Sequence, residues 1–385
     1  MRKRITLASF FGFASLAFSF SPTLPLYAKN LEVSAYDMGL LLALPALMAM
    51  FLRFPASIFS DRFGRKNMML LGASMFVLAP FILFMTSSYV GILCALAVYG
   101  VSIFYMPAAL SFINDISQQE DKAESMGNYS SKSGWGRIVS PLLAGGTLSH
   151  FSDFDLVFFV SFLLGCVSFL IILTLKEVEV SNKIQYKKQN MLGCLKHIFG
   201  KRKILNISVI RAVQGLMLGG ILVYFPWYAQ DVAGLNGAQI GCLLTLMGVA
   251  SLIARQWVSH RMKNNNSLIY LTAGMLSFAG SLTLLALTSS FIYLIPIMLV
   301  LGISEGISHL ATIVYVSKIS GKHDFASAIG VMGTLFDGGM LSGRLLPGVL
   351  LVLFPVVSPY GLVFGILAGT VGVTGALTQL VLKKD

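Results

Sequence analysis

Three ionisable side chains lie inside long apolar stretches of the second half of the chain, where a proton could be bound and released. Glu305 and His309 are four residues apart and share one face of a helix, and Asp337 lies in the following stretch. A charge at the centre of a membrane helix costs ~2.5–3.5 kcal/mol on insertion scales, so a retained charge indicates function. These three residues are therefore candidates for a group that gains and loses a proton.

Glu305 ranks first among these candidates because its own apolar stretch carries no arginine. Asp337 has Arg344 roughly two helical turns away, so it can instead stay ionised and structural. The alternative role for either acid is a structural ion pair with Arg344 or Arg211.

Arginines and aromatic residues inside other apolar stretches form a second group, suited to binding a substrate. A buried guanidinium can contact an anionic group or bond to a backbone carbonyl, and aromatic rings can line a cavity or pack in a core. The substrate-binding candidates are Arg137, Arg211, Arg344, Tyr105, Trp135, Tyr224 and Phe336. Arg53 and Arg255 lie nearer the cytoplasmic ends of their stretches, where the expected role is to reach out to the membrane surface or to act as a structural clamp.

Patterns typical of catalysis, metal binding or nucleotide binding are missing from the sequence. There is no Walker loop and no Ser/His/Asp cluster, and the four cysteines show no CxxC spacing. We expect no cofactor, no metal and no catalytic residue, and hence no enzyme.

The composition indicates a membrane protein with many spans. Of the 385 residues 56% are apolar and 11% are charged, and the mean hydropathy is +0.80. A soluble core cannot bury so much apolar surface. A spanning helix needs ~20 residues. We predict an all-α membrane protein with twelve transmembrane helices, spans 1 to 12, at 6–28, 37–60, 67–86, 89–112, 127–150, 155–175, 204–228, 237–259, 267–288, 291–313, 326–354 and 358–382.

Basic residues are distributed unevenly among the predicted loops. With the N-terminus inside, 21 of the 28 Lys and Arg fall in cytoplasmic loops and termini, and the external loops contain Lys29 alone. This is the positive-inside pattern. It explains the net charge of +12 without nucleic acid, and it predicts that both termini are cytoplasmic.

The two halves of the chain resemble each other at an offset of about 202 residues. Gly39 and Arg53 in span 2 match Gly241 and Arg255 in span 8, and ordered matches continue through three further pairs of spans. A parallel repeat of two six-helix bundles implies an axis along the membrane normal, with a site between the halves. We predict a first bundle, a basic cytoplasmic linker and a second bundle at 1–175, 176–203 and 204–385.

The segment from Arg53 to Lys66 ends in Asp-Arg-Phe-Gly-Arg-Lys. It resembles the signature loop of the major facilitator superfamily, usually written GxLaDRxGRK, with Ser57 in place of the first glycine. Glycine permits a tight turn, and the aspartate can meet the positive N-terminus of a neighbouring helix. The resemblance implies a gating role for Asp61, Arg62, Gly64, Arg65 and Lys66, with Arg53 preceding them.

Span 5 is similar to the antiporter motif of the same family, Gx8Gx3GPxxGG, with Ser140 and Ala144 replacing two glycines. Small residues allow close contact between helices, and proline bends a helix. The residues that match are Gly127, Gly136, Pro141 and Gly145. The arginine usually found in span 4 of proton-coupled members is absent.

The resemblance implies a secondary transporter that works by alternating access in a bacterial inner membrane, as a monomer. The expected activity is proton-coupled efflux of a small amphipathic or anionic drug or metabolite. The alternative is a proton symporter that takes up an organic anion or nutrient, and a receptor or channel is the hypothesis from another class. The expected partners are a small-molecule substrate, protons and the lipid bilayer, with no nucleic acid.

Overall fold

The computed structural model describes residues 1–117, 122–177, 201–262, 267–320, 325–354 and 359–383. Within these ranges the chain forms helices and turns and no strand. Span 1 consists of Arg2–Phe20 and Thr23–Asn30, and span 4 of Tyr89–Val101, a 3₁₀ turn at Ser102–Phe104 and Tyr105–Asp115. The other spans in chain order are Ala35–Phe63, Arg65–Met85, Lys122–Phe151, Phe154–Leu173, Arg202–Asp231, Gly237–Arg261, Ser267–Leu287, Phe291–Ile319, Phe325–Leu353 and Pro359–Lys383.

Span 5 differs in composition from the other spans. In the described part of the chain, eleven helical segments are long and apolar enough to cross a membrane, and Lys122–Phe151 is the predicted span that is not among them. This helix carries Lys132 and Arg137 together with many glycine and serine residues. Such a helix is stable in lipid when neighbouring helices cover its polar groups.

The helices group into two compact units. The first unit contains Met1–Ser34, Leu44–Ile184 and Asn236–Thr245, and the second contains Ala35–Ala43, Gln185–Leu235 and Leu246–Asp385. The domain bounds predicted from the sequence stay a prediction. Residues 178–200, most of the predicted linker, lie outside the described residues.

The core of the first unit is built around the inner face of span 1. Phe13, Phe76 and Tyr105 meet through their ring edges and are buried. The Oγ of Ser15 donates a hydrogen bond to the carbonyl of Phe76 at 2.9 Å. Hydroxyl groups and close contacts of this kind hold helices together in lipid, where apolar surface alone provides little drive for association.

Glycines set the spacing between helices in the second unit. Gly339 of span 11 faces the backbone carbonyl of Ala212 in span 7, and Gly306 of span 10 faces that of Ser251 in span 8. A side chain at either glycine would overlap the neighbouring backbone. Since Glu305 adjoins Gly306, this close approach brings the acid against span 8.

The predicted repeat is visible in these contacts. Gly136 of span 5 faces the carbonyl of Phe10 in span 1, just as Gly339 faces Ala212 in the second unit. The two contacts are related by the sequence offset of the repeat. The all-helical fold with two pseudo-symmetric halves is thereby confirmed.

Candidate functional site

A set of polar contacts joins spans 7, 8 and 10 in the second unit, with Glu305 of span 10 at its centre. The Oε2 atom of Glu305 accepts a hydrogen bond from Arg255 Nη2 at 2.7 Å and another from Ser251 Oγ. The Glu305 side chain is 17% exposed and that of Arg255 is 35% exposed. A counter-ion and a hydroxyl donor together satisfy the carboxylate within its span.

His309 extends these contacts to span 7. Its Nδ1 atom lies 2.7 Å from Arg211 Nη2. Because a guanidinium group only donates, Nδ1 accepts this bond and the ring proton is assigned to Nε2. The approach of Nδ1 to Glu305 Oε1, at 3.8 Å, therefore joins a neutral ring to a carboxylate and is not an ion pair.

Arg211 is held in place by further groups. Its Nη1 atom donates to Gln214 Oε1 at 2.6 Å, and its guanidinium carbon lies 4.1 Å from the ring centroid of Phe336. Gln214 in turn donates to Thr312 Oγ1 at 3.1 Å. Arg211 and Gln214 are both buried, so hydrogen bonds and a ring face replace the water that the guanidinium would otherwise bind.

The structure brings together several residues singled out from the sequence. Glu305, His309, Arg211 and Phe336 belong to one continuous set of contacts. Asp337 follows Phe336 in span 11 and is only 4% exposed. We refer to Arg211, Gln214, Ser251, Arg255, Glu305, His309, Thr312 and Phe336 as the polar network.

The partner of Glu305 differs from the one expected. Arg255 pairs with it, a contact that fits the structural clamp and not the extension to the membrane surface. Arg211 binds His309 and Gln214 instead. The sequence offers several arginines in other spans as partners for Glu305 and does not indicate which of them lies beside it. The repeat, which aligns Arg255 with Arg53, was the sequence feature that could have marked this arginine.

In the first unit, two predicted substrate-binding residues are exposed on span 5. Arg137 lies over the ring of Phe13, with 4.0 Å between the guanidinium carbon and the ring centroid. Trp135 is 42% exposed. Tyr105, in contrast, is fully buried, and its hydroxyl lies 2.8 Å from Ser9 Oγ. Tyr105 therefore packs in the core and lines no cavity here.

Tyr224 and Arg344 make structural contacts within the second unit. Tyr224 is fully buried and donates from its hydroxyl to the carbonyl of Arg344 at 2.8 Å. Arg344 Nη1 donates to the carbonyl of Leu42 at 2.5 Å. Both side chains thus donate to backbone carbonyls. For Arg344 this is the structural alternative to binding a substrate.

The signature loop connects the start of span 3 to two other helices of the first unit. Arg65 Nε donates to Asp115 Oδ2 at the end of span 4, at 3.2 Å, and Lys66 Nζ donates to the carbonyl of Leu173 in span 6, at 3.0 Å. Gly64 has a φ of 93°, which favours glycine.

Arg62 and Arg53 of the signature loop lie apart from these two contacts. Arg62 lies over the ring of Phe63 at 5.6 Å, and Arg53 is partly exposed. The side chain of Asp61 lies outside the described residues, so its predicted contact with a helix N-terminus stays a prediction.

The span-5 motif lies at a close helix contact inside the first unit. Gly136 and Gly145 face backbone carbonyls, whereas Gly127 faces open space. Beside Pro141, the Thr245 hydroxyl accepts a hydrogen bond from the Leu142 amide at 3.1 Å and donates to the Ile138 carbonyl at 2.9 Å. A side chain therefore bridges two groups that a regular helix would join directly.

A family comparison decides what kind of protein these helices form. The family model described as Major Facilitator Superfamily matches residues 5–344. The chain belongs to the major facilitator superfamily. The signature loop and the span-5 motif are therefore features of a superfamily member, and the protein is a multi-pass membrane transporter of small molecules.

Two relatives of this superfamily member align over most of their length. One is an uncharacterized MFS-type transporter, MJ1560, of Methanocaldococcus jannaschii, 24% identical over 360 residues that cover 91% of this chain and 92% of the relative. The other is Multidrug resistance protein 1 of Bacillus subtilis, 24% identical over 330 residues that cover 83% and 84%. The first is named as a transporter and the second for multidrug resistance.

A solved structure of another transporter shares the fold of this superfamily member. The crystal structure of the nucleoside transporter NupG superimposes with a TM-score of 0.85 over 100% of this chain and 99% of that one. Its sequence identity is 14%, so the likeness establishes the fold alone.

Proposed function

We propose that this transporter exports a small amphipathic or anionic compound in exchange for protons, and that Glu305 carries the proton. The observation that carries the proposal is the Arg255–Glu305 ion pair between spans 8 and 10. Burying an ionised pair inside a span costs free energy, so a pair that is retained there indicates a function. Glu305 and Asp337 are the two acids deep in the predicted spans, and the counter-ion of Glu305 lies on a different helix, whose movement can withdraw it.

The ion pair gives Glu305 two states. While Arg255 lies beside it, the carboxylate is compensated and stays ionised. When the transport cycle moves Arg255 away, an unpaired buried carboxylate is costly, and binding a proton removes that cost. The return of Arg255 then releases the proton. Each conformation thereby favours a different protonation state, which links the proton gradient to the conformational cycle.

Aromatic rings beside guanidinium groups support an amphipathic or anionic substrate. Arg137 lies over Phe13, and Trp135 is exposed on the same helix. Because residues two apart on a helix do not face each other, Arg137 and Trp135 offer separate contacts, a cation for a negative group and a ring for an apolar body. Arg137 and Trp135 are the leading substrate contacts, because Arg211 is engaged by the polar network.

Export is supported by the span-5 motif and by the relative named for multidrug resistance. The alternative, proton symport of an organic anion or nutrient, is supported by the same arginines, since an anion can bind them whichever way it travels. We further propose that both termini are cytoplasmic, as the distribution of basic residues indicates.

The sign of the coupling separates these two activities in proteoliposomes with an imposed pH gradient. Antiport accumulates substrate in the more acidic compartment, because protons leave as substrate enters. Symport accumulates it in the more alkaline one. This outcome is independent of how the protein is inserted. Accumulation on the acidic side supports export, and accumulation on the alkaline side establishes symport instead.

Glu305→Gln tests the proton carrier itself. The variant keeps the shape of the side chain but cannot gain or lose a proton, so gradient-driven accumulation should fall to the level without a gradient. Exchange of labelled for unlabelled substrate needs no net proton movement and should persist. Asp337→Asn is the contrasting variant, and we expect it to reduce folding yield or both activities together. Wild-type accumulation by Glu305→Gln would show that another group carries the proton.

A further inference from the structure

A cavity of about 480 Å³ lies at the end of the first unit that contains the N-terminus. It lies between the first residues of span 1, the end of span 4 and the first half of span 5. Its volume falls in the range of ~300–1,000 Å³ that is typical of small-molecule sites. Its lining includes Arg2, Lys3, Leu7, Phe10, Tyr129 and Lys132.

The charged groups of this cavity are all cationic. Arg2, Lys3 and Lys132 line it, and none of its described lining residues is an acid. Lys3 and Lys132 are exposed, and they come from different helices. Cations that line one concavity add their potentials inside it, so the cavity attracts a negative group and repels a positive one.

Part of the remaining surface of the cavity is apolar, and one part of its wall is fixed in place. Leu7 is 49% exposed and lies with Phe10 on the span 1 side. On the span 5 side, the hydroxyl of Tyr129 lies 2.9 Å from Ser9 Oγ, which also contacts Tyr105. This buried hydroxyl cluster anchors the Tyr129 ring, so one part of the cavity wall is preformed before any ligand binds.

We propose that this cavity binds an amphipathic anion, in which one carboxylate, phosphate or sulfonate group is joined to an apolar body. The anionic group would contact Lys3 and Lys132, and the apolar body would lie against Leu7 and Phe10. Such a molecule can be a soluble compound or an anionic lipid whose headgroup enters the cavity. This site is separate from the polar network, and its existence does not depend on the direction of transport or on proton coupling.

Titration calorimetry on the purified full-length protein in a neutral detergent tests the binding directly. The probes are naphthalene-2-carboxylate and naphthalen-2-ylmethylammonium, which share a ring system and differ in the sign of their charge. We expect saturable binding of the carboxylate and none of the ammonium compound, with detergent micelles alone as the blank. Equal affinity for both compounds would overturn the proposal, because apolar surface alone would then explain the binding.

The double variant Lys3→Gln, Lys132→Gln tests the assignment to this cavity. One pair of opposite charges about 4 Å apart in bulk water changes a binding constant about fivefold, so the affinity should fall at least about fivefold for each lysine removed. The control is Lys201→Gln, Lys318→Gln, which removes two lysines outside the cavity and should leave the affinity unchanged. Equal losses in the two variants would mean that net charge, and not this cavity, attracts the probe.

Nanodiscs distinguish the two sources of the anion. If phosphatidylglycerol occupies the cavity, it should weaken carboxylate binding relative to phosphatidylcholine and stay bound in native mass spectra, and the Lys3, Lys132 variant should lose it. If the ligand is a soluble compound, binding should be the same in both lipids. The absence of binding by either probe or lipid would refute the proposal without affecting the transport assays above.

Discussion

At the scale of single residues, Arg255 gives the second unit its ionic centre. It holds Glu305 at 2.7 Å, while Arg211 holds His309 at the same distance. The two arginines thus have different partners within one polar network. Glu305 can be released by movement of span 8 alone, because span 7 supplies none of its described hydrogen bonds.

The variant Arg255→Gln removes the counter-ion of Glu305. Loss of the counter-ion leaves Glu305 buried and unpaired, so Glu305 should stay protonated and gradient-driven accumulation should fall as in Glu305→Gln, with exchange retained. The free energy of unfolding should drop by about 2 kcal/mol, less than for a fully buried pair because Arg255 is 35% exposed. Proteoliposome transport and the melting temperature in detergent measure the two effects.

A double variant provides the control for this prediction. Arg255→Gln combined with Glu305→Gln removes both charges, and its melting temperature should recover part of the loss seen in Arg255→Gln alone. Additive losses would show that the two side chains do not interact, which would contradict the ion pair as the functional centre.

At the scale of helices, glycines decide which polar groups meet. Gly306 lets span 10 approach the backbone of span 8 at Ser251, one residue away from Glu305. Gly339 does the same between spans 11 and 7, next to Arg211 and near Phe336. Hydrogen-bonding distances within the polar network therefore depend on close backbone contacts on either side.

The element-scale prediction compares two glycines of the second unit. Gly306→Ala places a methyl group against the Ser251 carbonyl, so spans 8 and 10 must separate, at a cost of ~1–3 kcal/mol. The melting temperature and the proton dependence of transport should both decrease. Gly280→Ala in span 9 is the matched control, since its methyl group meets nothing within 4 Å. It should be neutral or slightly stabilising, because alanine favours helix.

Equal behaviour of the two glycine variants would contradict a role for the close contact between spans 8 and 10. If Gly306→Ala and Gly280→Ala melt at the same temperature and transport equally, close approach of spans 8 and 10 is not needed to hold Glu305. The polar network would then owe its geometry to the side chains alone.

At the scale of the whole molecule, the basic residues determine which way the chain lies in the membrane. The central loop carries eight of them, including Lys188 and Lys196 on either side of Cys194. Since translocating so many cations is unfavourable, this loop and both termini should be cytoplasmic. Cys194 lies outside the described residues, so chemical labelling is the appropriate probe.

Cysteine labelling in intact cells tests this topology. In a chain whose other cysteines Cys94, Cys166 and Cys242 are replaced by serine, a membrane-impermeant maleimide should leave Cys194 unlabelled until the cells are permeabilised. A second chain with Asn30→Cys and no other cysteine is the positive control, because Asn30 is exposed next to the single predicted external lysine. Labelling of Cys194 from outside would reverse the orientation.

The sequence alone determined the membrane class, the twelve spans and the two-fold repeat, because each depends on properties that accumulate along the chain. Apolar length predicts a span wherever it occurs, and the ordered matches between halves are confirmed by equivalent contacts at Gly136 and Gly339. Span 5, less apolar than the rest, was also predicted from its apolar stretch, and its glycine and proline spacing then gave the resemblance to the family motif.

Only the tertiary structure decided which polar groups meet. Glu305 and His309 share one face of span 10, and Ser251 and Arg255 lie one turn apart on span 8. These short polar faces do not indicate which of the other helices each one meets. The rotation and spacing of two such helices are set by close contacts such as Gly306 against Ser251, and these depend on the side chains of both helices at once. For that reason Glu305 and His309 were found as candidates from the sequence, whereas the pairing of Arg255 with Glu305 and the roles of Ser251 and Gln214 were not.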